Sequence, residues 1–206
     1  MRVCFFVDGF NLYHSLKEFT PQYRWLNLRK LCKRFTKSDE TVEKVYYFSA
    51  FANWNPGKEE RHRLYIKALQ NEDVIPVLGK FKKITRYCSL CKQNYPAHEE
   101  KQTDVNIAMC LFECAFKDMF DRAVIISGDS DLIPPIRKIQ ENFASKKVGV
   151  IAPVGRKTKE LKEIADFFIK MHSADLKESL FPRQYRIGDE ELEAPADWLP
   201  DTDASK

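Results

Sequence analysis

The sequence predicts an α/β fold in which helices cover both faces of a mostly parallel sheet. Short apolar runs rich in β-branched and aromatic residues recur along the chain, as expected for strands buried on both faces. Segments with a 3.6-residue apolar period lie between these runs, and this alternation is typical of right-handed βαβ units. The 206 residues are enough for one ordinary domain.

Six segments are predicted to form strands, because each is a short apolar run between polar or turn-forming residues. They are residues 2–7, 43–50, 74–81, 122–127, 147–152 and, as a shorter strand, 167–169. The helical period predicts helices at residues 11–19, 28–35, 58–71, 103–118, 131–142 and 157–164. Together these elements define a main domain that we place at residues 1–172.

Two regions break the alternation. Residues 82–100 are too polar to bury much surface and are predicted to form an inserted loop. Residues 173–206 contain prolines and a Gly-Asp turn signal at 188–189, so we expect a C-terminal extension that forms an extended strap or small hairpin with a frayed end. This acidic extension holds nine acids and four bases, whereas residues 1–172 hold 21 acids and 30 bases. Such a basic body suits a polyanion such as nucleic acid, although many solvated surfaces are equally basic.

Composition excludes several classes of protein. Hydrophobic residues make up 44% and charged residues 31%, which is typical of globular chains and excludes dominant disorder. The apolar runs fall far short of the ~20 residues that a membrane-spanning helix needs, so we expect no membrane association. No apolar targeting segment precedes the first strand, and a cytoplasmic protein is therefore expected. The sequence leaves a homo-oligomer open.

Two of the six cysteines, Cys88 and Cys91, have the spacing of a metal knuckle, and His98 follows seven residues later. These three residues are candidate ligands of a structural Zn²⁺, with Glu99 or Glu100 among the candidates for a fourth position. A metal-free thiol pair and a redox disulfide stay open as alternatives. The remaining cysteines lie in apolar patterns and are expected to pack in the interior: Cys4, Cys32, Cys110 and Cys114.

Acidic side chains follow the predicted strands at the edge where a parallel sheet gathers its functional groups. Asp8 ends the first strand, Asp129 and Asp131 follow the strand at 122–127, and Asp104 opens a helix. Carboxylates brought together repel unless a cation neutralises them, and hard oxygen ligands suit Mg²⁺ or Mn²⁺. Such an ion activates water and stabilises charge on a phosphodiester. Each aspartate taken singly is better explained as a helix cap, so the prediction depends on their convergence.

Three blocks of sequence carry a resemblance to a known family. Residues 7–13 (VDGFNLY), 99–108 (EEKQTDVNIA) and 126–134 (ISGDSDLIP) resemble, in this order, the signature blocks of the NYN domain family in its LabA-like branch. The resemblance covers residues 1 to about 170. It implies a PIN-like (Rossmann-like) three-layer α/β sandwich related to metal-dependent nucleases, with an acidic pocket at the carboxyl edge of the sheet.

The resemblance also assigns candidate site residues. It implies that Asn11 pairs with the first aspartate and that Ser127 is the small polar residue before the Gly-Asp step. Gln102 and Thr103 stand where the family often has Gly-Val, a change that should leave metal binding intact. The catalytic set is Asn11 with the acidic positions, and the acidic positions are the predicted Mg²⁺ or Mn²⁺ ligands: Asp8, Asp104, Asp129 and Asp131.

A second set of residues is predicted to contact the substrate. Ser127 and the backbone N–H groups from Gly128 to Ser130 precede a helix and are suited to a phosphate. Lys101 and Arg86 are candidate phosphate contacts, with solvated charges as the alternative. The insertion interleaves such bases with aromatic rings, a pattern that suits single-stranded nucleic acid; a solvated loop stays open. These rings are Phe81, Tyr87 and Tyr95.

The leading hypothesis is a metal-dependent (endo)ribonuclease, a hydrolase that cuts phosphodiester bonds in single-stranded or structured RNA. The alternative is a non-catalytic RNA- or nucleotide-binding regulator with the same fold. A phosphatase of the haloacid dehalogenase type needs a second aspartate two residues after its nucleophile, whereas Asp8 is followed by Gly9 and Phe10. His62 and His172 are expected to be structural. His14, in the first turns after Asp8, is expected to be a surface or internally paired histidine, with an approach to the acidic pocket as the alternative.

Overall fold

The structure, a computed structural model, describes residues 1–156 and 158–200. Its strands are β1 (Arg2–Asp8), β2 (Thr41–Ser49), β3 (Val74–Leu78), β4 (Lys80–Tyr87), β5 (Asn94–Lys101), β6 (Arg122–Ile126), β7 (Lys147–Ala152), β8 (Phe167–Lys170), β9 (Gln184–Ile187) and β10 (Glu190–Glu193). Its helices are α1 (Gly9–Phe19), α2 (Leu28–Arg34), α3 (Pro56–Asn71), α4 (Thr103–Phe116), α5 (Ile133–Asn142), α6 (Lys159–Ile164) and α7 (Ser173–Lys177). Three short 3-10 turns span Pro21–Tyr23, Ser130–Leu132 and Ala196–Trp198.

The central sheet has six strands in the order β3-β2-β1-β6-β7-β8, and every neighbouring pair is parallel. After β1 the chain adds β2 and then β3 on one side of β1. It then crosses the sheet and adds β6, β7 and β8 on the other side. The strand order therefore reverses between β1 and β6, and in open α/β sheets a crevice forms at such a point. The predicted three-layer α/β fold is confirmed.

Two hydrophobic clusters lie on the two faces of this sheet. Side chains of a strand alternate between faces, so Phe5 points to one cluster and Phe6 to the other. The Phe5 face is covered by α1, α2 and α3, and the Phe6 face by α4, α5 and α6. Cys4, Cys32 and Cys114 are buried, as predicted, while Cys110 is half-buried.

The predicted loop at residues 82–100 is wrong, because this region forms the antiparallel hairpin of β4 and β5. The predicted strand at 74–81 ends at Leu78, where Gly79 turns the chain and its N–H donates to the carbonyl oxygen of Ser49 at 2.8 Å. Most residues of the hairpin are exposed. Its strands are paired by backbone hydrogen bonds that need no apolar pattern, so hydrophobic periodicity gave no signal for them.

Smaller differences occur at helix ends. A 3-10 turn precedes α5, which begins at Ile133 and not at the predicted residue 131. The predicted start of the sixth helix, Lys157, lies outside the described residues, and α6 begins at Lys159. No helix in the part of the chain that the structure describes is long and apolar enough to cross a membrane.

The C-terminal extension includes the expected small hairpin, with Gly188 at φ +59° in the turn between β9 and β10. Trp198 packs against Trp25 with ring centroids 6.3 Å apart, and the Trp25 indole N–H donates to the carbonyl oxygen of Pro182 at 3.0 Å. The extension therefore completes the hydrophobic cluster on the Phe5 face. The predicted frayed end, residues 201–206, lies outside the described residues.

Candidate active site

Asp8 is the last residue of β1 and its carboxylate caps α1. Oδ1 accepts a hydrogen bond from the backbone N–H of Asn11 at 2.9 Å, and Oδ2 accepts one from Ser127 Oγ at 2.7 Å. The residue is only 3% exposed. Burial raises the pKa of Asp8, and the charges of Asp129 and Glu100 raise it further, whereas the two hydrogen bonds lower it.

Hydrogen bonds join the ends of β1 and β6 into one network. Asn11 Oδ1 accepts from the backbone N–H of Gly128 at 2.9 Å, and Ser127 Oγ accepts from the backbone N–H of Asp129 at 3.1 Å. Asp129 Oδ1 in turn accepts from the backbone N–H of Asp131 at 3.0 Å. Asn11 and Ser127 thus fix the backbone that presents the acidic side chains.

Asp104 reaches the same crevice from the first turn of α4. The chain enters this helix through Gln102 at φ +84°, a left-handed conformation that favours glycine. Burial raises the pKa of Asp104 to about 6, with further contributions from Asp129, Asp8, Glu100 and Asp131. The structure therefore brings together all four predicted acidic residues and Asn11.

Glu100 is an acidic member of the site that the sequence had suggested only as a zinc ligand. Its Oε1 accepts a hydrogen bond from the backbone N–H of Thr103 at 3.1 Å and a second from the Thr103 hydroxyl. Gly79 lies against it, since a Cβ there would be 3.0 Å from Oε1 of Glu100 and 2.7 Å from the Lys101 carbonyl oxygen. Only the hairpin, which sequence reasoning missed, carries Glu100 to this position.

The acidic side chains of the site supply carboxylate oxygens, which are the type of ligand that a hard divalent cation prefers. Burial and the charge of Asp129 raise the pKa of both Asp8 and Asp104, so their charged forms are disfavoured, and a bound cation would relieve both effects. Within residues 1–156 and 158–200, no three His, Cys, Asp or Glu side chains are arranged so that they could hold a metal ion as they stand.

Arg156 and Thr158 are further neighbours of the site that the sequence analysis did not single out. A Cβ on Gly128 would lie 3.1 Å from Cβ of Arg156 and 3.0 Å from Cγ2 of Thr158. Arg156 also lies 3.8 Å from Glu18. Their position just after β7, at the same carboxyl edge as Asp8, could have identified them from the sequence.

The predicted substrate contacts are divided between two places. Ser130 opens the 3-10 turn after Asp129, beside the acidic group. Lys101 ends β5 and forms an ion pair with Glu99 at 2.9 Å. Arg86 lies near the tip of the hairpin, 3.9 Å from the same glutamate. Arg86 therefore lies toward the tip of the hairpin, whereas Lys101 lies at its base, next to Glu100.

The candidate zinc ligands are not brought together as a set of three. Cys88 and Cys91 lie in the turn of the hairpin, where hydrogen bonds from Cys91 lower the pKa of the Cys88 thiol. His98 lies on β5 four residues beyond Asn94, roughly 13 Å along an extended strand. There it stacks on Trp54, with ring centroids 3.7 Å apart and planes 3° apart. His98 is thus placed away from the thiols.

The NYN domain family model matches residues 2–174. This chain belongs to the NYN domain family. Its acidic crevice therefore lies in a nuclease-like fold, at the switch point of the NYN sheet.

Two proteins that this NYN domain resembles share about a fifth of its residues in the matched region. The 6-hydroxy-3-succinoylpyridine 3-monooxygenase HspA of Pseudomonas putida is 21% identical over an alignment of 188 positions, and the match covers 74% of this chain and 60% of that enzyme. The NYN chain thus spans less than two thirds of that relative's length. A crystal structure of a protein of unknown function from Vibrio parahaemolyticus has a TM-score of 0.57 and 22% identity, covering 83% of this chain and 93% of that one. This likeness supports the fold alone.

Proposed function

We propose that this NYN domain protein is a metal-dependent ribonuclease of the LabA-like branch. The observation that carries the proposal is the convergence of Asp8, Asp104 and Asp129 on one crevice, where the charge of Asp129 raises the pKa of both Asp8 and Asp104. Asp8, Asp104, Asp129 and Asp131 would hold Mg²⁺ or Mn²⁺. The ion, when bound, activates a water and stabilises charge on the phosphodiester.

The remaining residues of the site hold the aspartates in position or supply positive charge for the RNA. Ser127 and Asn11 hold Asp8 and the Gly128 backbone in place through the hydrogen bonds given above. Arg156, beside Gly128, is suited to a phosphate of the RNA strand because its guanidinium offers two parallel donors. The excess of bases over acids in residues 1–172 favours the approach of a polyanion.

A non-catalytic RNA- or nucleotide-binding regulator is the second candidate function. One observation favours it: among the described residues, no three His, Cys, Asp or Glu side chains are arranged so that they could hold a metal ion. A regulator would attract RNA through the same excess of bases in residues 1–172 and leave its phosphodiester bonds intact.

The two functions are separated by incubating end-labelled single-stranded RNA, duplex RNA and single-stranded DNA with the protein and Mn²⁺, Mg²⁺ or chelator. We expect loss of RNA with metal, none with chelator, and none with Asp129→Asn. Asp189→Asn, which removes the same charge from the exposed turn between β9 and β10, serves as the control and should cleave like the wild type. Cleavage that persists in Asp129→Asn contradicts the assignment, and binding without cleavage supports the regulator.

Zinc binding, cytoplasmic residence and self-association are further proposals, and each has its own test. Zinc at Cys88 and Cys91 requires ligands other than His98, and metal analysis of protein purified without chelator tests it. Cytoplasmic residence and self-association are tested by cell fractionation and by sedimentation.

A further inference from the structure

A cavity of about 330 Å³ lies beside the acidic crevice. It is lined by side chains from α1, the end of β2, α3 and the β4–β5 hairpin, and Gly9, which directly follows Asp8, forms part of its wall. Ligand pockets in proteins span roughly 300 to 1,000 Å³, so this volume suits one small molecule or one residue of a polymer. None of the acidic ligands proposed above lines it.

One wall of the cavity is a continuous row of aromatic rings. Phe10 meets Phe81 edge-on at 5.2 Å between centroids, and Phe81 meets Trp54 at 4.5 Å. Trp54 then stacks on His98, yet it remains 42% exposed. A partly exposed indole in an aromatic wall favours a flat heteroaromatic ring, because stacking of a base on an aromatic side chain contributes about 1–3 kcal/mol.

The charged residues of the lining are all basic. Lys17, Arg24, Lys58 and Arg61 contribute to it, and no Asp or Glu does so among the residues described. Of these four, Arg24 is held by Asp197 at 2.8 Å, while the other three form no ion pair within the described chain. A surplus of positive charge around an aromatic wall suits a ring that carries an anionic group such as a phosphate.

His62 is part of the cavity lining, and one of its ring nitrogens lacks a hydrogen-bond partner among the described residues. Its Nε2 is buried and has no hydrogen-bond partner within residues 1–156 and 158–200. Burial lowers the pKa of His62 to about 4, so the ring is neutral near pH 7 and offers one donor and one acceptor. Buried polar atoms are nearly always paired, and the edge of a nucleobase offers both kinds of partner.

We propose that this cavity binds the base of one unpaired nucleotide, stacked near Trp54 and hydrogen-bonded to His62, with its phosphate toward Lys58 and Arg61. The inference deepens the proposed function, since it places one nucleotide of the RNA strand next to Asp8. A base within a duplex is already paired and stacked and cannot enter such a cavity. The substrate class is therefore RNA with unpaired nucleotides.

The test measures binding in chelator, so that it does not depend on cleavage. AMP, ribose 5-phosphate, a single-stranded RNA and its duplex are titrated into the protein by calorimetry. We expect AMP to bind at least tenfold more tightly than ribose 5-phosphate, and the single strand more tightly than the duplex. Equal affinities within either pair, or no binding of AMP, would overturn the inference.

Variants test whether AMP binds in this cavity. Trp54→Leu, His62→Phe and Lys58→Glu should each weaken AMP binding by about tenfold, which corresponds to 1.4 kcal/mol. Lys33→Glu makes the same charge change at an exposed position of α2, outside the cavity lining, and should bind like the wild type. Lys58 is exposed, so its variant is expected to fold even where His62→Phe does not. Unchanged affinity in the folded variants overturns the inference.

The outcomes also separate this inference from the proposed function. AMP binding that the variants weaken, together with no RNA cleavage in Mn²⁺, retains the nucleotide cavity and rejects the nuclease. Metal-dependent cleavage with AMP affinity unchanged in the variants retains the nuclease and rejects the cavity.

Discussion

Ser127 Oγ donates a hydrogen bond of 2.7 Å to Asp8 Oδ2 across 119 positions of sequence, and both residues are buried. The same oxygen accepts from the backbone N–H of Asp129. One hydroxyl therefore satisfies a buried carboxylate and orients the next acidic residue. When a buried polar group loses its hydrogen-bond partner, its desolvation cost is no longer compensated.

Ser127→Ala should lower the free energy of unfolding by about 1–3 kcal/mol, because it leaves Oδ2 of Asp8 unpaired. Cleavage of RNA should fall by at least tenfold, since Asp129 loses its orienting contact. Ser179→Ala is the matched control, because Ser179 is also fully buried and its Oγ has no partner within the described chain. Urea denaturation measures both variants. Equal losses of stability would show that the hydrogen bond to Asp8 contributes nothing.

Gln102→Gly should raise the free energy of unfolding by about 1 kcal/mol. Gln102 has φ +84°, where a side chain is strained and glycine is not. Gln70→Gly, near the end of α3, makes the same substitution at an exposed helical residue and should lower stability by several tenths of a kcal/mol to about 1 kcal/mol. Thermal denaturation compares the two, and shifts of the same sign would refute the argument.

Asp104→Asn should stabilise the protein in chelator near pH 7. The pKa of Asp104 is about 6 in the folded protein against its usual 3.8, so the folded state binds the proton more tightly. Between these values the free energy of unfolding falls as pH rises, and the loss persists at neutral pH. Because water screens this half-exposed carboxylate, we expect a gain of about 1 kcal/mol.

The gain should vanish near pH 4, where the Asp104 carboxyl is protonated in the folded protein. Asp189→Asn controls for the loss of one negative charge and should leave the melting temperature unchanged. A gain from Asp104→Asn that is the same at both pH values would contradict the pKa shift as its cause.

His62 should make the protein less stable in acid. Burial lowers the pKa of His62 from 6.5 to about 4, so the unfolded chain takes up a proton first as pH falls. The free energy of unfolding therefore falls between about pH 6.5 and 4, by up to about 3 kcal/mol from this residue. His62→Phe should lack this component, which is seen by subtracting its stability at each pH from that of the wild type. A difference that does not change with pH would exclude the effect.

The carboxyl-edge position of the aspartates could be predicted from the sequence because it follows from local patterns. Asp8 and Asp129 each come after a fully apolar run, and such a run is a strand buried on both faces whatever its neighbours are. The ends of parallel strands meet at one edge, so the convergence of these residues could be inferred without coordinates.

The place of Glu100 and of the aromatic wall was decided by tertiary structure. Both depend on the β4–β5 hairpin, whose exposed faces carry no hydrophobic period. Trp54 and His98 stack although 44 positions separate them, and nothing in either local sequence indicates the contact. The sequence by itself determined which strands end in acids. Only the packing of the hairpin against α1 decided what surrounds them, because side-chain contacts between distant segments leave no periodic trace in the chain.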